Sequence, residues 1–251
     1  MKLSIKRVAA TVAVSTGLLF ISTAPAFAQY SPITIDERDT QLTQLAPIIY
    51  NNFSTTGKNI PMTVTYSSGS PEAGQEGPSE AGVRAVPYYN TNYSITMQGI
   101  TYKLDNVHWH TKSEHILTTV SPSKLPMEQH MVFKGPGYRD VVLSSLMEIG
   151  NSQTATNVEK IISAASTSSS APTYAYNVNL NSLINPSTDR YQYTGSATTW
   201  PHSNNVTWII SKSPLRVQQS TVDKYQSMLP LGDDGKPVNS RDFTTPIFHS
   251  K

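Results

Sequence analysis

The segment that carries most of the chain's metal-binding chemistry is NVHWHTKSEH, residues 106–115, which holds three of the six histidines. If this segment is a β-strand, successive side chains point to opposite faces. His108 and His110 then lie on one face, and Val107 and Trp109 lie on the other, buried face. Two imidazoles at this spacing form a two-point chelate. By itself such a pair is a weak indication of a metal site.

A third histidine follows in MEQHMVFK, residues 127–134, where His130 shares a strand face with Glu128 and Val132. If residues 111–127 connect two neighbouring strands, His130 lies beside the first two histidines. Three neutral imidazoles would give Zn²⁺ a tetrahedral site with one open position. The chain has no cysteine, so any metal site must use His, Asp or Glu.

The same histidine pair followed by a glutamate also occurs in cupins, in which Glu114 would be a fourth ligand and the metal would commonly be iron or manganese. The cupin pattern requires glycines at later positions. Here position 121 is serine, and the segment KLPMEQH contains no glycine. A cupin-type metalloenzyme therefore stays open as the lesser alternative.

Most of the remaining chain consists of short β-type runs separated by turn residues, among them IPMTVTY, SITMQGITYKLDNVHWH, DVVLSSLMEIG and NVTWIIS. Short helices are predicted at residues 157–166 and 221–229, and loops at residues 67–82 and 166–173. These patterns predict a mainly β (α+β) protein, largely antiparallel, with one domain over residues 29–251.

Residues 1–28 have the features of a secretory signal peptide: the basic stretch MKLSIKR, an apolar run, and the small-residue site APAFA. Cleavage there predicts a secreted protein, extracellular or periplasmic, with no membrane association afterwards. It also removes three basic residues and no acid, which changes the formal net charge from +2 to −1. The remaining chain has no basic run, so nucleic acid is not an expected partner.

Four ordered motifs give the chain a resemblance to the α-class carbonic anhydrases. GITYKLDNVHWHTKSEH is similar to that family's strand with two zinc histidines, and LPMEQHMVF to its segment with the third. YQYTGSATTWPHSNNVTWIISKSP resembles its Y-x-G-S-L-T-T segment, while YSPITI and NSR (residues 239–241) resemble motifs near its ends. The resemblance covers most of residues 30–245. It implies a large twisted, mostly antiparallel central sheet with a few short helices.

The resemblance further implies reversible hydration of CO2 to bicarbonate and a proton, by attack of zinc-bound hydroxide. Zn²⁺ would be held by His108, His110 and His130. Asn106 would bind the outer nitrogen of His108, and Glu128 that of His130, which fixes the tautomers that leave a lone pair for the metal.

Two further residues would be catalytic by the same resemblance. Thr198 would accept the proton of the hydroxide and donate its own to Glu114, which orients the nucleophile towards CO2. Thr199 would order water in the substrate pocket. The apolar wall that holds CO2 would comprise Val132, Val142, Ala197, Val206 and Trp208.

The chain also departs from the family pattern. Ala197 stands where the family usually has leucine, and the closest alignment puts Val83 at the position of the proton-shuttle histidine. The aromatic segment that usually precedes the first motif has no counterpart after the expected cleavage site. These departures keep open a second class of function, a catalytically weak relative that holds zinc or binds a surface.

Overall fold

The computed structural model describes residues 30–53, 59–69, 81–88, 92–151, 155–168, 171–185, 188–199 and 202–250. The predicted signal peptide lies outside these ranges. Within them, no helix has the length and apolar character needed to cross a membrane.

The described ranges contain fifteen strands, two α-helices and two short 3-10 helices. The helices are α1 (Thr156–Ala164) and α2 (Gln219–Met228), and the 3-10 helices are Glu37–Asp39 and Leu180–Leu183. The strands are β1 (Thr34–Ile35), β2 (Gln41–Leu42), β3 (Ile49–Asn51), β4 (Asn59–Ser68), β5 (Ala81–Pro87), β6 (Ser94–Met97), β7 (Ile100–His110), β8 (Ile116–Leu117), β9 (Met127–Lys134), β10 (Asp140–Ile149), β11 (Thr173–Asn179), β12 (Arg190–Ser196), β13 (Asn204–Ser211), β14 (Leu215–Val217) and β15 (Phe248–His249).

Thirteen of these strands form one sheet in the order β11-β4-β5-β7-β9-β10-β13-β12-β15-β2, with β14 beside β10, β6 beside β7 and β3 beside β6. Most neighbours are antiparallel, but β10 runs parallel to β13 and β14, and β15 runs parallel to β2. Strands β1 and β8 form a separate parallel pair. The predicted mainly β fold with a large, mostly antiparallel sheet is confirmed.

Alternation along the central strands divides the apolar residues between two clusters, one on each face of the sheet. In β9, Met131 and Phe133 belong to the larger cluster, while Val132 packs against the smaller one. Both helices pack on the larger cluster, and α1 buries Val158 and Ile161 against it, three residues apart on one helix face. The two predicted helices are confirmed, with ends that differ by one or two residues.

Candidate metal centre and substrate cavity

Antiparallel pairing of β7 with β9 brings the three predicted ligand histidines together. His108 lies opposite His130, and His110 lies opposite Glu128. The long connection between the two strands therefore has the role expected from the sequence. One nitrogen from each of the three imidazoles lies within 4.8 Å of the others. His110 and His130 are fully buried, whereas His108 is half-buried at the floor of a cavity.

The outer nitrogens of two of these rings have hydrogen-bond acceptors. His108 Nδ1 lies 2.7 Å from Asn106 Oδ1, and His130 Nε2 lies 2.9 Å from Glu128 Oε1. Each outer nitrogen therefore carries the proton, which leaves a lone pair on His108 Nε2 and on His130 Nδ1. These two lone-pair nitrogens are 3.2 Å apart. Neither has a proton to share with the other, so a cation between them is the arrangement that satisfies both.

Glu128 is completely buried and accepts five hydrogen bonds. Its Oε1 accepts from His130, from His115 Nδ1 at 2.8 Å and from Ser144 Oγ at 2.5 Å. Its Oε2 accepts from the main-chain N–H groups of Glu114 and His115, both at 2.7 Å. Burial alone would raise the pKa of this carboxyl, but the two histidines hold the pKa well below its ordinary value. Burial also lowers the pKa of His130, which keeps its imidazole neutral and able to bind a metal.

His115 links Glu128 to a second chain of hydrogen bonds. Because its Nδ1 donates to Glu128, its Nε2 accepts from the hydroxyl of Tyr193 at 2.8 Å, and Tyr193 in turn accepts from Ser31 Oγ at 2.8 Å. His115, Glu128 and His130 are also close enough to hold a cation. Both nitrogens of His115 are already used in hydrogen bonds, so this second group is a support for the first.

The structure places the predicted catalytic carboxylate beneath the histidines. Glu114 is fully buried, and its Oε2 lies 3.7 Å from Nε2 of His110. Its Oε1 lies 3.2 Å from Nζ of Lys236 and 3.4 Å from the main-chain nitrogen of the same residue. Lys236 lies 122 residues away in the chain, and no sequence pattern predicted this contact. It supplies the positive charge that a buried carboxylate requires.

The other predicted site residues surround one cavity of about 290 Å³. Asn106, His108 and His130 lie at its polar end, and Thr198 is nearly buried in its wall. The remaining predicted residues that line it are Val132, Val142, Ala197, Thr199, Val206 and Trp208. His110 and Glu114 are fully buried and are not among the residues that line it. Four charged residues that the sequence reasoning missed complete the lining: Arg84, Asp105, Lys134 and Asp140.

One of these charged residues extends the hydrogen bonds of His108 outwards. Asp105 Oδ2 accepts from Nδ2 of Asn106 at 2.7 Å, and Asn106 Oδ1 accepts from His108. The carboxylate polarises the amide towards the imidazole, which strengthens the second bond. A carboxylate one position before the Asn-x-His pair was the only sequence signal for this contact.

Comparison with known proteins identifies the family. A family model described as eukaryotic-type carbonic anhydrase matches residues 22–241. The chain belongs to this family.

Several carbonic anhydrases are similar to the chain. Alpha carbonic anhydrase 7 of Arabidopsis thaliana is 31% identical over 130 residues, which are 51% of this chain and 46% of that protein. The carbonic anhydrase of Neisseria gonorrhoeae is 27% identical over 164 residues, 62% of this chain and 61% of that one. The chain thus spans about half the length of the plant relative. In structure, the α-carbonic anhydrase of Thermovibrio ammonificans matches with a TM-score of 0.72 at 21% identity, over 88% of this chain and 86% of that one.

One carbonic anhydrase alignment made from the sequence is wrong. Val83 was aligned with the shuttle histidine, but its side chain is buried in the larger apolar cluster, on the face away from the cavity. Its neighbour Arg84 is exposed, lines the cavity and pairs with His108 across the sheet. Because side chains alternate along β5, a shift of one residue moves the aligned position to the other face.

Proposed function

We propose that this protein catalyses the zinc-dependent, reversible hydration of CO2 to bicarbonate and a proton. The observation that carries the proposal is the convergence of three histidine nitrogens at the inner end of a half-apolar cavity, with two of the rings held in the tautomer that binds a metal. Three neutral imidazoles are a ligand set that suits Zn²⁺ and leaves one coordination position open.

His108, His110 and His130 would hold the ion. When bound, zinc supplies a hydroxide nucleophile at neutral pH by acidifying a water molecule, a property for which carbonic anhydrases are the standard example. Asn106 and Glu128 keep two of the rings in position, because each accepts a hydrogen bond from the proton-bearing nitrogen of one ring.

Thr198 and Glu114 would orient the nucleophile. A threonine hydroxyl both accepts and donates one hydrogen bond, whereas an ionised carboxylate only accepts. If the hydroxyl of Thr198 donates to Glu114, its oxygen would remain available to accept the proton of the nucleophile. Lys236 beside Glu114 favours the ionised carboxylate that this polarity requires.

The cavity wall suits a substrate without charge. Val132, Val142 and Val206 line it together with the ring of Trp208 and the small side chain of Ala197. Apolar atoms hold CO2 without hydrogen bonds and release bicarbonate, which is charged and better solvated in water. Of the charged residues at the cavity, Arg84 would attract the departing anion, whereas Lys134 is already paired with Asp140.

The decisive experiment is a stopped-flow measurement of CO2 hydration on protein whose metal content has been determined. We expect about one zinc per chain and hydration well above the buffer rate, with both lost in His108→Ala. The matched control is His249→Ala, which removes a histidine that lies outside the site and binds Thr40. Zinc without hydration would favour the catalytically weak, zinc-holding or surface-binding relative. Iron or manganese in place of zinc would contradict the choice of metal in this proposal, although the family and the fold exclude a cupin.

We also propose that residues 1–28 are removed on export and that residues 29–251 are the functional domain. The basic start, the apolar run and the APAFA site support this. Intact mass of the protein recovered outside the cytoplasm should correspond to a chain that begins at Gln29. Recovery of the chain with Met1 in a membrane fraction would contradict the proposal.

A further inference from the structure

A second cavity, of about 390 Å³, lies on the opposite face of the sheet from the histidines. Its floor is formed by β9, β10, β13 and β12. Residue parity along the strands separates the two sites. The ring of His130 and the hydroxyl of Ser144, which donates to Glu128, belong to the metal face, while Gln129 and Ser145 belong to the face of the second cavity, which Ser144 also lines in part. The volume falls within the range of small-molecule pockets.

A row of four polar side chains crosses the floor of this cavity. Gln129 pairs with Ser145 across β9 and β10, and Arg190 pairs with Ser211 across β12 and β13. Ser144 pairs with Ile210, so Ser145 and Ser211 are the next residues along these two strands. The four side chains therefore share one face and follow one line across four neighbouring strands. At the usual spacing of strands this row is about 14 Å long.

An apolar row runs alongside the polar row. Met131 pairs with Leu143, and Leu143 pairs with Ile209, two residues further along the same strands and on the same face. The walls come from the segment before β3, with Leu45 and Ile48, and from the segment that follows the second 3-10 helix. The polar row and the apolar row thus lie side by side on the cavity floor, and the walls around them are mostly apolar. Its other lining residues are Pro47, Tyr50, Ser144, Leu183, Ile184, Asn185 and Thr188.

Arg190 holds the two walls together. Its Nη2 donates to the main-chain oxygen of Ala46 at 2.6 Å, and its Nη1 to that of Thr188 at 3.4 Å. The buried Nε of Arg190 has no hydrogen-bond partner among the described residues, and no described acid forms an ion pair with this guanidinium. At the other end of the row, Nε2 of Gln129 donates to the main-chain oxygen of Leu183 at 2.6 Å. Its buried Oε1 accepts no hydrogen bond from any described residue.

Buried polar atoms are normally satisfied, and a ligand is one way to satisfy them. Nε of Arg190 is a donor on a cation and calls for an anionic acceptor, for which a carboxylate is the best match in geometry and charge. Oε1 of Gln129 calls for a hydroxyl or N–H donor. Between these ends, the side chains of Met131, Leu143 and Ile209 offer a flat apolar surface of the kind that packs against an aromatic ring.

We propose that this cavity is a binding site for a small hydroxyaryl carboxylate, separate from the metal centre. The carboxylate accepts from Arg190, the ring lies on the apolar row, and the phenolic hydroxyl donates to Gln129. Because Nε of Arg190 and Oε1 of Gln129 are both buried, the two side chains turn towards the ligand when it binds. A molecule of the length of 3-(4-hydroxyphenyl)propionate spans the polar row from Gln129 to Arg190.

Calorimetric titration with 3-(4-hydroxyphenyl)propionate tests the site, with 3-phenylpropionate and 3-(4-hydroxyphenyl)propanamide as ligands that lack the hydroxyl and the charge. Arg190→Gln should weaken binding of the acid by about 10- to 100-fold, and Gln129→Met by about 10-fold, since each removes one buried hydrogen bond. Arg190→Lys, which keeps the charge, should bind better than Arg190→Gln. Arg216→Gln is the matched control, because Arg216 pairs with Glu148 on the surface, and it should change nothing.

The two ends can be assigned separately. 3-Phenylpropionate should bind the wild type about 10-fold more weakly than the hydroxylated acid and should be insensitive to Gln129→Met. Because Arg190 also joins the two walls, Arg190→Gln should weaken binding of the amide, but by less than it weakens binding of the acid. Carboxylates and phenols could also bind at zinc, so the same titration is made with His108→Ala. Retained affinity in His108→Ala supports the second cavity. Three outcomes would overturn the proposal. They are a loss of affinity in His108→Ala but not in Arg190→Gln, equal affinity for the acid and the amide, and the absence of saturable binding.

Discussion

The two faces of β9 and β10 carry polar residues that behave in opposite ways. On the metal face, Glu128 is saturated: five donors reach its two oxygens, and its contacts extend to Ser144 and His115. On the other face, Gln129 and Arg190 keep buried polar atoms without partners among the described residues, and a cavity lies over them. Glu128 and Gln129, which differ so strongly, are direct neighbours in the chain, whereas Arg190 lies on β12.

The difference shows that one sheet can hold a rigid metal centre on one face and an adaptable cavity on the other. A saturated buried network fixes side chains in one geometry, which a metal centre needs. A row with spare donors and acceptors is only completed by another molecule. Two neighbouring residues on opposite faces can therefore be substituted in the same way, and the effects of the two substitutions on metal binding, kinetics or stability can be compared.

The largest contrast concerns His130 and Gln129. His130→Ala removes a proposed zinc ligand and should reduce zinc from about one per chain to nearly none. Gln129→Ala should keep the zinc, because its side chain lies on the other face. Metal analysis after gel filtration measures both. Full zinc in His130→Ala would show that the ligand set is assigned wrongly.

The pair Val83 and Arg84 tests proton transfer. Among the described residues that line the metal cavity, the only histidines are the proposed ligands, and neither is free to carry protons out. Release of the proton should then limit kcat, and a missing acid–base group costs ~10²–10⁴ in rate. Imidazole buffer should raise kcat in a saturable manner with little change in kcat/KM, and Arg84→His should partly replace the buffer.

Val83→His is the control for that experiment. It would place an imidazole in the apolar cluster, so it should lower stability and leave the imidazole dependence of kcat unchanged. Stopped-flow kinetics over a series of buffer concentrations separate the two. If kcat of the wild type does not respond to imidazole, some other group already transfers the proton.

A third pair lies side by side in the cavity wall. Thr198→Ala removes the proposed orienting hydroxyl but no ligand, so zinc content should stay near normal while kcat/KM falls about 10²-fold, as for the loss of one positioned hydrogen bond. Thr199→Ala should have a smaller effect, because Thr199 is expected only to order water. Equal hydration rates in wild type and Thr198→Ala would rule out the proposed role of Thr198 with Glu114.

The smallest contrast is that of Ser144 and Ser145. Ser144→Ala removes a hydrogen bond to the buried carboxylate of Glu128 and should cost about 1.5–3 kcal/mol of unfolding free energy. Ser145→Ala removes a hydroxyl from the cavity floor on the other face and should change stability by less than about 0.5 kcal/mol. Urea denaturation followed by tryptophan fluorescence measures both, and equal losses would contradict the contrast between the faces.

The local part of this architecture could be predicted from the sequence. Alternation placed His108 and His110 on one face of their strand, and His130 was expected beside them on the condition that residues 111–127 connect two neighbouring strands. Glu128 was correctly placed on the face of His130 for the same reason. The two helices followed from their apolar spacing. All of these features depend on a period of two or 3.6 residues within one short segment.

The remaining features depend on register between distant strands, which no local pattern contains. The contact of Lys236 with Glu114 joins residues 122 positions apart. The position of Val83 could not be settled, since a slip of one residue exchanges it with Arg84. The polar row from Gln129 to Arg190 exists only because β10 pairs in parallel with β13, an arrangement that the predicted antiparallel pattern did not anticipate.

The spacing of the ligands along the chain has a consequence for the order of folding. His108 and His130 are 22 residues apart and meet across β7 and β9, which are neighbours in the sheet and are separated in the chain only by a connection that contains the two-residue strand β8. Thr198, by contrast, reaches the cavity only after β10, β13 and β12 have assembled, and the longer closure costs more chain entropy. Zinc would therefore meet its three proposed ligands as soon as β7 pairs with β9, before the residue proposed to orient its nucleophile reaches the cavity. The metal would then act as a folding nucleus, and added zinc should accelerate refolding of the wild type but not of His108→Ala.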